Sequence, residues 1–310
     1  MSFGVVFPGQ GSQRVGMLEE AAGAFSVVSD TFFEASEALG YDLWQLVSQG
    51  PAEKLGLTEY TQPAILTASV ALYRAFTEVN VFQPLAGAGH SLGEYSALVS
   101  AGALSLADGV RLVRQRGAAM QDAVPVGVGA MAVVMGLDDG VVTDTCNRLS
   151  SAGSFVGGVN FNAPGQVVIA GHAAAVDAAL GALKDAGARR VMPLPVSAPF
   201  HTPLMHPAAE VMQRAFEDVN WSTPRFPVVS NVDGSLQTNA DSIRDSLVKQ
   251  ISAPVLWTTC MATLRETGCT HFVECGPGNV LSGLSKRIDK SIPVKSIEAV
   301  AAIEAGVTDL

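Results

Sequence analysis

The chain has 310 residues, 48% of them hydrophobic and 15% charged, with a formal net charge of −10. That is enough for one large domain with a substantial core and a smaller inserted unit. The acidic balance, without an arginine- or lysine-rich block, excludes general nucleic-acid binding, and an anionic substrate must be met by a local cluster of positive charge.

The first apolar run, Phe3 to Phe7, stops at Pro8 and opens into the turn PGQGSQ. Helical patterns follow in LEEAAGAFSVVSDTFFEASEALG and in TQPAILTASVALYRAFTEV from about Thr61. PLAGAGHSLGEYSALVSAG reads as strand, tight turn and helix, and Ser105 is placed to N-cap an amphipathic helix in SLADGVRLVRQRGAAMQDA. Strands alternating with helices predict an α/β layered domain with a mostly parallel sheet. The rhythm changes at VPVGVG. From there a strand, a helix, two strands joined by NAPG, a helix and a last strand give βαββαβ, the ferredoxin-like order. The expected division is a discontinuous larger domain, 1–124 and 197–310, interrupted by a subdomain at 125–196. The larger domain resumes through RFPVVSNVDG, IRDSLVKQI, THFVECGPG and the helix NVLSGLSKRI.

Chemistry concentrates in few places. Gly89-His90-Ser91-Leu92-Gly93 matches G-x-S-x-G, and its strand-turn-helix setting is that of a nucleophile elbow. The helix beneath Ser91 places partial positive charge where an oxyanion develops, with the Leu92 N–H as one donor and the FPGQGSQ turn, carrying Gln10, as a source of the second. Among the five histidines, His90 is poorly aimed for its neighbour's hydroxyl, His172 opens a helix, and His271 reads as a core residue. His201 and His206 remain; His201 lies in the loop by which the chain re-enters the larger domain and is the candidate base. No aspartate presents itself behind it, so a backbone carbonyl is expected to set the imidazole tautomer. Arg111, Arg114 and Arg116 share one helix; Arg114 and Arg116 border its apolar stripe on opposite sides, and spacing does not choose between them.

Together, VFPGQGSQ, GHSLGEYSAL, RGAAMQ, NFNAPGQVVIAG, PFH and ECGPGNVLSGL resemble the malonyl-CoA:acyl carrier protein transacylase family of bacterial fatty acid synthesis, in unbroken order from about residue 3 to residue 290. The resemblance implies an α/β-hydrolase-like core with a ferredoxin-like insertion. It implies that Ser91 accepts the acyl group, His201 is the general base, and Gln10 and the Leu92 amide form the oxyanion region. It further implies that Arg116 pairs with the malonyl carboxylate and that the Gln250 main-chain carbonyl accepts from the histidine. Asn160 lies in a matching motif, and Phe200 looks like the bulky residue of malonyl-selective domains. The implied partners are malonyl-CoA and acyl carrier protein, with no metal or redox cofactor. Arg189, Arg190, Lys286, Arg287 and Lys290 are candidates for a basic docking face. The rival readings are a serine esterase or thioesterase, which expects a carboxylate behind His201, and a non-enzymatic carrier-protein-binding module.

No apolar stretch reaches the roughly eighteen residues of a membrane helix, and MSFGVVFPGQ lacks the basic start and cleavage site of a secretory signal. Cys146, Cys260, Cys269 and Cys275 show neither CxxC nor zinc spacing, so reduced thiols and a cytoplasmic protein are expected.

Overall fold

The structure, a computed structural model, describes residues 1–196 and 198–307. The expected domain boundary at residue 197 and the chain end at 308–310 lie outside the described residues. The strands are β1 (Phe3–Phe7), β2 (Ala86–Gly89), β3 (Gly129–Met135), β4 (Val156–Ala163), β5 (Gln166–His172), β6 (Arg190–Pro193), β7 (Val228–Val229), β8 (Leu236–Gln237), β9 (His271–Glu274) and β10 (Val294–Ser296).

One sheet has the order β10-β9-β1-β2-β7-β8 and is parallel except at β7–β8. Its centre, β1, is apolar throughout because both faces are covered: Val5 and Phe7 pack into one core, Val6 into the other. On the first face lies the long buried helix Thr58–Val79, against which packs the amphipathic helix Leu106–Asp122. Ser105 caps that second helix by accepting from the Asp108 N–H. β1 and β2 pair in register up to Phe7 opposite Gly89. The PGQGSQ turn and the GHSLG turn therefore leave the sheet side by side, at the carboxyl ends of adjacent parallel strands, where open α/β sheets bind their ligands.

The second sheet, β4-β5-β3-β6, is antiparallel throughout. With the helices Asp139–Leu149 and Ala173–Asp185 it makes the βαββαβ unit. Those helices cover one face, sealing Val134, Val167, Ile169 and Leu183 between them. The opposite face carries Met131, Val159 and Val168, joined by Leu194, Val196 and Phe200 from the returning chain. β4 is tied to the larger sheet's body by Phe161 N–H to Val255 O at 2.9 Å and Val255 N–H to Val159 O at 2.8 Å. The second sheet thus roofs the end of the first.

Two local expectations are corrected. The helical pattern over residues 18–40 is broken at Phe25, whose extended backbone (φ −127°) lets its ring pack against the core, giving helices Glu19–Ala24 and Ser26–Leu39. His271, expected in the core, is half-buried at the start of β9, with Nδ1 against Thr270 Oγ1.

Candidate active site

The elbow follows from the two glycines of G-x-S-x-G. A Cβ on Gly89 would lie 1.8 Å from the Gly93 carbonyl, and one on Gly93 would lie 2.1 Å from Phe7 O. No larger residue fits either place. Between them Ser91 takes a left-handed φ of 53°, a conformation costing about 1–2 kcal/mol for an L-residue. Asn231, fully buried at the end of β7, holds it: its Oδ1 accepts from Ser91 N–H at 2.7 Å and its Nδ2 donates to Gly89 O at 2.7 Å. The helix Gly93–Ser100 begins directly beneath.

Ser91 Oγ lies 2.7 Å from His201 Nε2. On the far side of the ring, Nδ1 lies 2.9 Å from the Gln250 main-chain oxygen. A carbonyl only accepts, so Nδ1 carries the proton and Nε2 presents a lone pair to the hydroxyl. Burial first, and then the charge of Arg116, push His201 down to about 3, so the imidazole is held neutral. His206, the other candidate, is exposed at a helix start.

The helix Leu106–Asp122 brings Arg116 to this pair. Its side chain is 1% exposed, and Nη2 donates to Ser91 Oγ at 3.2 Å. Gln62 Oε1 accepts from Nη1 at 2.9 Å, and Gln250 Oε1 accepts from Nη2 at 2.9 Å. Among the described residues no carboxylate pairs with it. Arg114 instead pairs with Glu59 at 3.0 Å near the surface, and Arg111 reaches the Ala38 carbonyl. A buried guanidinium with only neutral partners is costly unless a negative charge joins it, and the open position beside Ser91 is where an anionic group would sit.

The other expected residues gather around the same cleft, of about 320 Å³. Gly9 passes so close to the elbow that a Cβ would lie 2.5 Å from His90 O, which puts Gln10 at the mouth, its Nε2 donating to Thr58 Oγ1 at 3.3 Å. Among the described residues the Leu92 N–H meets no acceptor. Asn160 and Phe200 line the cleft from the roof, and the buried Asn160 Oδ1 meets no partner among the described residues. His90 points away from the dyad, with Nε2 2.7 Å from Asn162 Oδ1.

Three residues at the centre escaped the sequence reading. Gln62 heads the largely apolar run QPAILTASVAL, a polar residue on a buried helix face, and this was a usable signal. Asn231 stands in SNVDG, which reads simply as a turn, and Glu94 in GEYSAL reads simply as a helix former. Glu94 is in fact 1% exposed, and burial pushes its carboxyl up to about 7.

This geometry has close relatives. Residues 5–309 match the model of the acyl transferase domain. The malonyl CoA-acyl carrier protein transacylase of Escherichia coli K12 is 52% identical over 98% of this chain and 98% of its own length. That of Haemophilus influenzae is 49% identical over 98% and 97%. Among solved structures, the malonyl CoA-acyl carrier protein transacylase of Coxiella burnetii superposes with a TM-score of 0.97, at 44% identity over 100% of this chain and 98% of that one. A malonyl-transacylase solved in complex with a type II PKS acyl-carrier protein gives 0.97, at 48% identity over 100% of both chains. An elbow serine, an imidazole and a buried cation on this scaffold therefore have a family: the chain belongs to the acyl transferases and, among them, to the malonyl CoA-acyl carrier protein transacylases.

Proposed function

We propose that this chain moves a malonyl group from malonyl-CoA to the phosphopantetheine thiol of acyl carrier protein, in fatty acid synthesis, through malonyl-Ser91. The observation that carries the reading is the buried Arg116, free of any carboxylate among the described residues and 3.2 Å from Ser91 Oγ. A malonyl group is an acyl chain ending in a carboxylate, and it supplies the missing charge within reach of the nucleophile.

In the first half-reaction the Ser91 hydroxyl proton passes to His201 Nε2 as Oγ attacks the thioester carbon. The Gln10 and Leu92 main-chain amides hold the oxyanion. The carbon–sulfur bond then breaks, His201 returns the proton to the coenzyme A sulfur, and malonyl-Ser91 remains. In the second half-reaction the carrier thiol gives its proton to His201 and attacks the ester; Ser91 Oγ leaves and recovers the proton. Exchange between thioesters is nearly balanced whereas hydrolysis runs downhill, so selectivity for sulfur is kinetic. Arg116 tethers the acyl group, and Gln250 holds the imidazole in its working tautomer. A carbonyl behind His201, where a hydrolase is expected to have a carboxylate, favours transfer. Asn160 and Phe200 shape the acyl pocket. Serine, imidazole and main-chain amides suffice for these steps without a metal or redox cofactor.

We assign 1–124 and 197–310 to the catalytic unit and 125–196 to the inserted one; in support, each sheet draws all its strands from one of these two. The free buried cysteines support a cytoplasmic setting, and among the described residues no helix is long and apolar enough to cross a membrane. For an acidic carrier protein the docking face is the basic patch around Arg287, which donates to Gln166 across the two units; Gln166 and Arg190 both lie opposite Met135, and Arg189, Lys286 and Lys290 adjoin in sequence.

The test is incubation with malonyl-CoA, with and without holo carrier protein, read by intact mass. A stoichiometric adduct on Ser91 that persists alone and is collected by the carrier, faster at low ionic strength, is the expected result. Continuous release of malonate without an acceptor would refute transfer, and a carrier rate insensitive to salt would discard the basic docking face.

A further inference from the structure

We propose that Glu94 is a positioning residue whose buried carboxylate sets the direction of the Gln250 carboxamide and, through it, aims Arg116 at the carboxylate of the acyl group. This rests on the malonyl reading above and deepens it, naming what holds the selectivity element in place.

Glu94 sits in the first turn of the helix Gly93–Ser100. Its Oε2 accepts from Gln250 Nε2 at 2.9 Å and from Asn231 N–H at 3.1 Å. Asn231 N–H donates to the same oxygen, so Oε2 is an acceptor whether or not the other oxygen carries a proton, and the end of Gln250 that faces it is the nitrogen. The same nitrogen donates to Ser91 O at 2.9 Å. The oxygen end is thereby turned to Arg116, where it accepts from Nη2 at 2.9 Å. In the flipped carboxamide every one of these contacts fails: NH₂ would face the guanidinium N–H groups, and the carbonyl would face the Glu94 and Ser91 oxygens. A buried polar group left in that state loses its hydrogen bonds and gains repulsion.

The indirect arrangement has its own logic. Among the described residues neither Glu94 nor Arg116 belongs to an ion pair. A carboxylate in direct contact with the guanidinium would compete with the substrate for it. With a carboxamide between them, Glu94 orients the cation and leaves its charge for the ligand. The Gln250 main chain meanwhile holds His201, and Asn231, the other partner of Glu94, holds the Ser91 amide. One carboxylate thus touches both halves of the elbow's support.

The experiment uses the full chain with Glu94→Gln, Gln250→Leu and the double variant, each checked by thermal melt. It compares kcat/KM for malonyl-CoA and acetyl-CoA with holo carrier protein. Glutamine at 94 still accepts from Asn231 N–H but replaces the carboxyl acceptor of Gln250 Nε2 by a neutral amide oxygen, so the hold on the carboxamide's direction weakens. Malonyl transfer should fall at least about tenfold further than acetyl transfer, largely through KM, whatever common loss the elbow's support brings to both. Gln250→Leu keeps the carbonyl that holds His201 and removes the relayed group, so it should show the same split, and it carries the test alone if Glu94→Gln does not fold. The double variant should be no less selective than either single one. Equal loss for both acyl groups, or additive losses in the double variant, would overturn the proposal. A wild-type protein that moves malonyl and acetyl equally well would sink the malonyl reading itself; wild-type selectivity that survives both variants sinks only the role of Glu94.

Discussion

Replacing Arg116 by alanine removes the cation 3.2 Å from Ser91 Oγ and leaves two carboxamide oxygens, on Gln62 and Gln250, without their donor. The site is 1% exposed, so water does not replace the lost charge. A malonyl carboxylate entering there meets no counterion, and truncating one partner of a buried, hydrogen-bonded charge pair costs about 2–5 kcal/mol. In rate terms that is a fall in kcat/KM for malonyl-CoA of about thirtyfold to several thousandfold. Acetyl-CoA brings no carboxylate, so its transfer should be spared or should rise as the unpaired cation disappears. Arg116→Lys restores charge without the planar fork and should fall between wild type and alanine for malonyl alone. The assay is transfer of each acyl group to holo carrier protein across a range of thioester concentrations, with a thermal melt to confirm folding. Equal losses for malonyl and acetyl would refute the carboxylate role.

Gly93→Ala pushes a methyl to within 2.1 Å of Phe7 O and must open the elbow away from β1, so Ser91 acylation by malonyl-CoA should nearly vanish, as mass spectrometry of the adduct will record. An acylation rate near wild type would mean the turn tolerates a Cβ there. His201 bears on acid stability. Its native pKa of about 3 lies below the ordinary 6.5, so between those values the unfolded chain binds a proton that the native state refuses, and stability falls as pH falls below 6.5. By pH 5 the contribution is about 2 kcal/mol. His201→Gln removes that titration and should lose correspondingly less stability than wild type between pH 7 and pH 5 in denaturant melts; parallel pH curves would contradict it.

The layout was legible where local chemistry alone decides it. β1 announces itself by an apolar run closed by Pro8, and the βαββαβ order of the insertion is spaced out by Gly and Pro turns. The elbow is legible because only glycine survives at Gly89 and Gly93. What stayed hidden depends on burial by distant chain. Arg114 and Arg116 have similar surroundings in sequence; Glu59 drawing one to the surface and the pair Gln62 and Gln250 enclosing the other are tertiary facts. Asn231 meets Ser91 only because β7 lies beside β2, and nothing in SNVDG says so. The break at Phe25 is likewise a choice of packing over helix propensity.

The pairing of β4 with Val255 sets Ser91, at the end of the first sheet, beneath Met131 and Asn160 of the second, with Phe200 and His201 adjacent on the chain that returns between them. The ceiling over the nucleophile therefore comes from a stretch of chain separate from the elbow. Diversifying the ceiling is a route to new acyl preferences that leaves the hydroxyl, the imidazole and their backbone supports untouched.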